Sequence, residues 1–163
     1  MSSYYPPSQL LSSKFNRMGE FSDIIDGYLR IENIDILKSH TTIDRINEFS
    51  VHCHCADIGN RWIKRDEKTG FSLVVSGMTY TLPSMGKPER LVSDDIALDS
   101  ANKFIGAFDG DISYFTNGYG DPWKGGRRDD STITGAWDEF GMVVVGQTKI
   151  GLVVFYDDSG CLE

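Results

Sequence analysis

The spacing of apolar positions changes several times along the chain, and each change predicts an element. From Leu10 to Phe21 apolar residues recur every three or four positions, which predicts a short helix that ends near Gly19. A loose leader precedes it over residues 1–9, where two adjacent prolines block regular structure. Residues 28–37 fit both periods, and their three isoleucines favour a strand.

A clear alternation of apolar and polar side chains begins at residue 49. In the segment 49–55, Phe, Val and two Cys side chains fall on one face of a predicted strand, and Ser and two His side chains fall on the other. The run Asp66–Gly70 has the composition of a hairpin turn between strands at 61–65 and 71–75. A further strand is predicted at 78–82.

The second half of the chain predicts one helix and a meander of strands. Ser93 and the two aspartates after it predict the start of a helix over 94–108. Strands are predicted at 112–116, 131–137, 141–146 and 148–156, with a turn at 138–141 and a long loop at 117–131. Val143, Val145, Val153 and Phe155 are expected on one core-facing surface, and the glycines at 141, 146 and 151 are expected to mark turns or a bulge.

Together these elements predict an α+β fold. We expect a mainly antiparallel sheet of about six to eight short strands, with two or three helices packed on one face. A length of 163 residues fits one domain, which we assign to residues 10–163.

Charge adds a first indication of partners. The formal net charge is −8, and residues 91–163 carry 13 acids against 5 bases, so this segment holds the whole excess. Such a surface repels the phosphates of nucleic acids and membranes and attracts basic proteins. The N-terminus lacks the pattern of a secretory signal, and the three cysteines form no disulfide framework, so we expect a cytoplasmic protein with reduced thiols.

The residue types that usually carry chemistry do not form a recognisable site. His52 and His54 have strand spacing that would let both reach one metal ion, but Cys53 and Cys55 then point to the other face. The chain contains no phosphate-binding or dinucleotide-binding glycine motif and no nucleophile elbow. We therefore expect no metal, no cofactor and no catalytic residue, and we interpret most aspartate pairs as turn and cap residues.

The loop 117–131 is the best candidate for a working surface, because long polar loops that persist in compact domains are often functional. It joins two aromatic residues, the type most enriched in binding hot spots, to several acids. Trp123 could instead fold back as a core plug. The predicted partner-binding residues, including two acids just before the loop, are Asp109, Asp111, Tyr119, Asp121, Trp123, Asp129 and Asp130.

These features favour a small acidic protein-binding domain. The most concrete version is an inhibitor or immunity protein that neutralises a basic partner such as a toxin nuclease, since small bacterial immunity proteins are generally acidic and acidic side chains can mimic the phosphates that a nuclease grips. Two alternatives remain open: a small carboxylate-dependent enzyme that acts on glycans, and an oligomeric accessory or structural protein.

Overall fold

The computed structural model describes residues 27–83, 88–125, 131–134 and 138–157, and within them the α+β class is confirmed. In chain order the elements are β1 (Gly27–Asn33), α1 (Thr42–His52), β2 (Ile63–Arg65), α2 (Glu67–Thr79), α3 (Asp94–Ile105), β3 (Ser113–Thr116), β4 (Asp138–Val145) and β5 (Lys149–Asp157). The leader at 1–9 and the helix predicted to end near Gly19 lie outside the described residues.

The strands form one antiparallel sheet in the order β1-β5-β4-β3-β2. The described residues therefore hold five strands, fewer than the six to eight predicted. β5 lies between β1 and β4, and every residue from Ile150 to Phe155 is buried. A strand covered on both sides has a continuous apolar run instead of alternation, and the segment 150–155 has that run.

Helices cover both faces of the sheet, so the prediction that they pack on one face is wrong. On one face, a Cβ added to Gly77 of α2 would lie 2.2 Å from the Phe155 ring. On the other face, Tyr28, which pairs with Val154, lies against Cys53 just after α1. Side chains of successive strand residues point to opposite faces, which separates Phe155 from Val154. We call these two surfaces the α2 face and the α1 face.

The predicted strand at 49–55 is wrong, because these residues end α1. Thr41 caps the helix by accepting a hydrogen bond from the Asp44 N–H at 3.2 Å. The chain then turns at His54, whose φ is 64°, and the Cys55 N–H donates to the Ser50 carbonyl at 2.8 Å. Phe49, Cys53 and Cys55 are buried as expected, but Val51 lies on the outer side of the helix and is 41% exposed.

The predicted hairpin at 61–75 is also wrong. Asp66 begins α2, and its carboxylate accepts a hydrogen bond from the Thr69 N–H at 2.8 Å. Residues 71–75 and the first part of 78–82 are therefore helical. The helix predicted at 94–108 is confirmed, with Ser93 as its cap and its end at Ile105.

The hairpin of β4 and β5 corrects three further predictions. β4 already includes 138–141, and Gly141 pairs with Val154 inside the sheet instead of marking a turn. The Ile133 side chain lies over Gly141, with its end methyl 2.6 Å from where a Cβ would stand, so a larger residue there would displace that methyl group. Of the strand predicted at 131–137, residues 131–134 are not in a strand, and 135–137 lie outside the described residues. Val143 and Val153 lie on opposite faces, since Val153 pairs with Met142.

No helix in the described part of the chain is both long and apolar enough to span a bilayer.

Candidate functional site

The predicted site residues fall into two groups, separated by the length of β3. Asp109 and Asp111 precede the strand and lie exposed at the end where β4 turns into β5. There the Asp109 carboxylate accepts hydrogen bonds from the Thr148 N–H at 3.0 Å and the Thr148 hydroxyl at 2.8 Å, which hold the pKa of that carboxyl below its usual range.

Tyr119, Asp121 and Trp123 follow β3, at its other end. The four residues of β3 span about 10 Å, so the structure does not bring the two groups together. Asp121 caps the short 3-10 helix Pro122–Lys124 by accepting from the Trp123 N–H at 2.9 Å. Asp129 and Asp130 lie outside the described residues.

Trp123 is half-buried and packs against the core on the α2 face. Its ring meets Phe140 and Phe155 edge-to-face, with centroids 5.7 and 5.4 Å apart. Its indole N–H donates to the Thr81 carbonyl at 3.1 Å. The ring therefore anchors the loop to the sheet, which is the second of the two roles that the sequence allows for it.

Tyr119, unlike Trp123, does not pack against the sheet but lies exposed on the loop. Its side chain is 59% exposed, more than any other large hydrophobic side chain in the described ranges. The neighbouring Gly118 is buried, and Gly120 adopts a φ of 82°, which favours glycine. The chain thus turns sharply around Tyr119, whose side chain projects into solvent.

Arg65 fixes this turn from the neighbouring strand β2. Its guanidinium donates to the Thr116 hydroxyl at 3.0 Å and to the carbonyls of Gly118 at 3.3 Å and Gly120 at 2.8 Å. The Thr116 hydroxyl also donates to the Gly118 carbonyl at 2.9 Å. The planar, forked guanidinium suits donation to several acceptors at once better than an ammonium does. Sequence reasoning missed Arg65 because the charged run 64–68 is typical of a solvated turn.

Asn117 ties the base of the loop to β4. Its side-chain carbonyl accepts from the Gly141 N–H at 2.9 Å, and its amide donates to the Ser131 carbonyl at 3.0 Å. Below it lies Glu139, which is 4% exposed. The Glu139 carboxylate accepts from the N–H groups of residues 133 and 134 and from the hydroxyls of residues 132 and 134. These bonds make Glu139 an organising residue of the loop base.

The cysteines and histidines form no metal site in the part of the chain that the structure describes, where no group of three potential ligands converges. His52 stacks on Phe49, with ring centroids 6.1 Å apart. Cys53 and Cys55 are both buried, and burial raises the pKa of the Cys55 thiol. This arrangement suits packing and not thiolate chemistry.

An open groove of about 460 Å³ runs along α1, and Asp44, Glu48 and Asp57 are among its lining residues. Glu48 accepts from the N–H groups of Lys38 and Ser39, at distances of 2.9–3.0 Å. These bonds hold its pKa below the usual range. A general acid in glycoside hydrolysis needs the opposite shift, so Glu48 lacks that property.

The site is thus a loop with a half-buried Trp at one end, a hydrogen-bonded Asn at the other and an exposed Tyr between them. Comparisons of the chain with models of known protein families, with curated proteins and with solved structures find no match.

Proposed function

We propose that this chain is a small acidic protein-binding domain that neutralises a basic partner, as an inhibitor or immunity protein does for a toxin nuclease. The observation that carries the proposal is the presentation of Tyr119. An exposed tyrosine stands on a turn that Arg65 holds by three hydrogen bonds.

A fixed turn matters because binding must offset the entropy lost when groups become ordered. A side chain on a loop that is already ordered loses little freedom on association, and Tyr has only two side-chain torsions to restrict. Tyr is also among the residues that most often dominate the affinity of an interface. Tyr119 therefore has the chemistry and the support of an apolar anchor.

The charge of the chain argues for the kind of partner. With 24 acids against 16 bases, the protein attracts a basic surface and repels an acidic one. Complementary charge raises the association rate, and a buried aromatic anchor slows dissociation. Asp121, Asp129 and Asp130 remain the proposed charges beside Tyr119. Asp109 and Asp111 lie at the other end of β3, so their proposed part is to attract the basic partner from a distance.

A photo-crosslinking amino acid at position 119, introduced in the native organism, tests the proposal directly. The matched control carries the same group at Ile36, an exposed apolar side chain that follows β1 at the opposite edge of the sheet. We expect mass spectrometry to find a basic protein at near-stoichiometric yield for position 119 and not for position 36. No protein enriched over the control, or an acidic one, would contradict the proposal. Crosslinking to a second copy of the chain would favour the accessory-protein alternative.

Two variants separate the anchor from the core plug. Tyr119→Ala should leave the melting temperature unchanged and speed dissociation of the captured partner, at a cost of about 2 kcal/mol in binding free energy. Trp123→Ala should instead lower the free energy of unfolding by about 3 kcal/mol, because it opens a cavity beside Phe140 and Phe155. The measurements are surface-binding kinetics and urea denaturation. Unchanged dissociation in Tyr119→Ala would remove this residue from the interface.

A further inference from the structure

Exposed apolar side chains concentrate around the start of α3. The described ranges hold six large hydrophobic side chains that are well exposed, and three of them fall within residues 91–98. Leu91 is 37% exposed, Ile96 50% and Leu98 47%. Single exposed apolar residues are ordinary, and it is the concentration of three of the six within eight residues that makes this segment a candidate interaction surface.

Helix geometry explains why α3 presents these side chains. At 100° per residue, Ala97, Ala101 and Phe104 share the direction of the core, and all three are fully buried. Asp95 and Asp99 point the opposite way. Ile96 and Leu98 then lie on the two flanks of this acidic ridge. The outer side of α3 is therefore acidic along its middle and apolar along both edges.

The charges on this surface leave an acidic excess. Arg90 pairs with Asp94 at 2.7 Å, and Lys103 pairs with Asp99 at 3.1 Å. Both pairs join residues four positions apart and lie exposed, so each contributes little to stability. Arg90 also contacts the Tyr80 hydroxyl at 3.1 Å, whereas Asp99 is the one ion-pair partner of the Lys103 ammonium within the described ranges. Asp95 belongs to none of the ion pairs found among the described residues.

This surface is connected to the Tyr119 loop through the segments that precede α3. The Leu91 N–H donates to the Thr79 carbonyl at 2.7 Å, and the Thr81 N–H donates to the Glu89 carbonyl at 2.8 Å. The Thr81 carbonyl in turn accepts the Trp123 indole N–H. One ladder of hydrogen bonds thus links the end of α2, the start of α3 and the Trp123 anchor.

From this arrangement we infer that the outer side of α3, together with Leu91, is a second docking surface for the same partner. It takes an amphipathic segment whose apolar side chains pack on Leu91, Ile96 and Leu98 and whose Lys or Arg residues face Asp95 and Asp99. The inference rests on the proposed function, because it names a second contact for the basic partner. A second copy of this chain fits less well, since two such faces would oppose like charges.

A labelled amphipathic peptide built from leucine and lysine is the probe, and a peptide with every lysine replaced by glutamate is its control. The measurement is fluorescence anisotropy at two ionic strengths. We expect the lysine peptide to bind the wild type and the glutamate peptide not to bind. A double substitution, Ile96→Ala with Leu98→Ala, should weaken binding roughly tenfold, as expected when two apolar contacts of an interface are truncated.

Charge reversal gives the sharper result. Asp95→Lys should weaken binding of the lysine peptide and allow binding of the glutamate peptide. Val51→Ala and Asp44→Asn, at exposed positions on α1, are the matched controls and should bind as the wild type does. All of these positions are exposed, so the apolar variants should melt as the wild type does. Asp95 and Asp44 stand in the first turns of their helices, so their variants should melt slightly earlier but remain folded.

Equal binding by the α3 variants and the wild type would overturn the inference, as would equal binding of both peptides. A wild-type dimer in sedimentation that the Ile96/Leu98 variant loses would overturn it too, because the face would then be a self-contact. The experiments can refute the two proposals separately. Suppose that a basic protein is captured at position 119 and that the α3 variants still bind it with wild-type affinity. That result would refute only the α3 inference. Lysine-peptide binding that depends on Asp95, with no basic protein captured at position 119, would refute only the Tyr119 proposal.

Discussion

At the scale of single residues, the roles of some side chains in the candidate site can be predicted from the sequence and the roles of others cannot. Tyr119 stands in a glycine-rich polar loop, a setting that already suggests an exposed aromatic. The role of Arg65 is not visible, because its acceptors lie 51, 53 and 55 residues further along the chain. No local pattern encodes such a contact.

Arg65→Lys tests whether the forked guanidinium fixes the loop. The ammonium keeps the charge but cannot reach three acceptors in one plane, so we expect the free energy of unfolding to fall by about 1.5 kcal/mol. Amide hydrogen exchange at residues 118–120 should become faster, while exchange in β5 changes little. Urea denaturation and exchange mass spectrometry measure the two effects.

The neighbouring Lys64→Ala serves as the control, because that side chain is exposed and should change stability by less than about 0.5 kcal/mol. Unchanged exchange at residues 118–120 in Arg65→Lys would show that the loop is fixed by other contacts.

At the scale of elements, α2 shows why residue types alone do not settle a local structure. Asp, Thr and Gly are common both in hairpin turns and at the starts of helices, so the run 66–70 fits either. The decision comes from packing. A Cβ added to Gly70 would meet the Tyr114 ring at 2.2 Å, and one added to Gly77 would meet Phe155 as closely. These two glycines let the helix backbone lie close to the sheet.

Gly77→Ala should therefore destabilise the protein, although Ala is the better helix former by about 1 kcal/mol. The added methyl group overlaps a buried ring, and we expect a net loss of about 1–3 kcal/mol in the free energy of unfolding, measured by chemical denaturation. Ser72→Ala, at an exposed position of the same helix, has the propensity gain without the overlap and should be neutral or stabilising. A Gly77→Ala protein as stable as the Ser72→Ala protein would disprove the close contact.

The cap of α2 predicts a pH dependence. Hydrogen bonds from the Thr69 N–H and hydroxyl lower the pKa of Asp66 below its unfolded value. A carboxyl with a lowered folded pKa stabilises the fold above its unfolded pKa, and that contribution is lost as pH falls through the folded value. Asp66→Asn can still accept the Thr69 N–H but does not titrate. The melting temperature of the wild type should exceed that of Asp66→Asn at neutral pH, and the difference should shrink below about pH 4.

Ser93→Asn, at the cap of α3, is the control for this measurement. Neither Ser nor Asn titrates, so this substitution should change the melting temperature by the same amount at every pH. A difference between wild type and Asp66→Asn that stays constant down to low pH would show that the charge of Asp66 has no part in the cap.

At the scale of the whole molecule, the α+β class, α3 and the central strand β5 were predictable from the sequence, and the middle of the chain and the bounds of β4 were not. Ser93 and its aspartates mark α3, and the run 150–155 marks a central strand. The alternation at 49–55 led to the wrong prediction of a strand, because its buried residues do not belong to one element. Phe49 is buried inside α1, and Cys53 and Cys55 are buried after it. Because helices cover both faces of the sheet, β5 also lacks the alternation of apolar and polar residues by which strands are usually recognised.

The order of strands in the sheet has a consequence for how the protein is made. β1 is the first of the five strands to be synthesised and β5 the last, yet the two are neighbours: Asn33 pairs with Lys149, 116 residues later. While a ribosome is still producing β3 and β4, Tyr28 and Leu29 have no strand beside them. The three helices can form from local contacts, but neither face of the sheet closes before β5 emerges. We therefore expect this chain to fold late in its synthesis, with the apolar side chains of its early strands exposed until β5 has emerged.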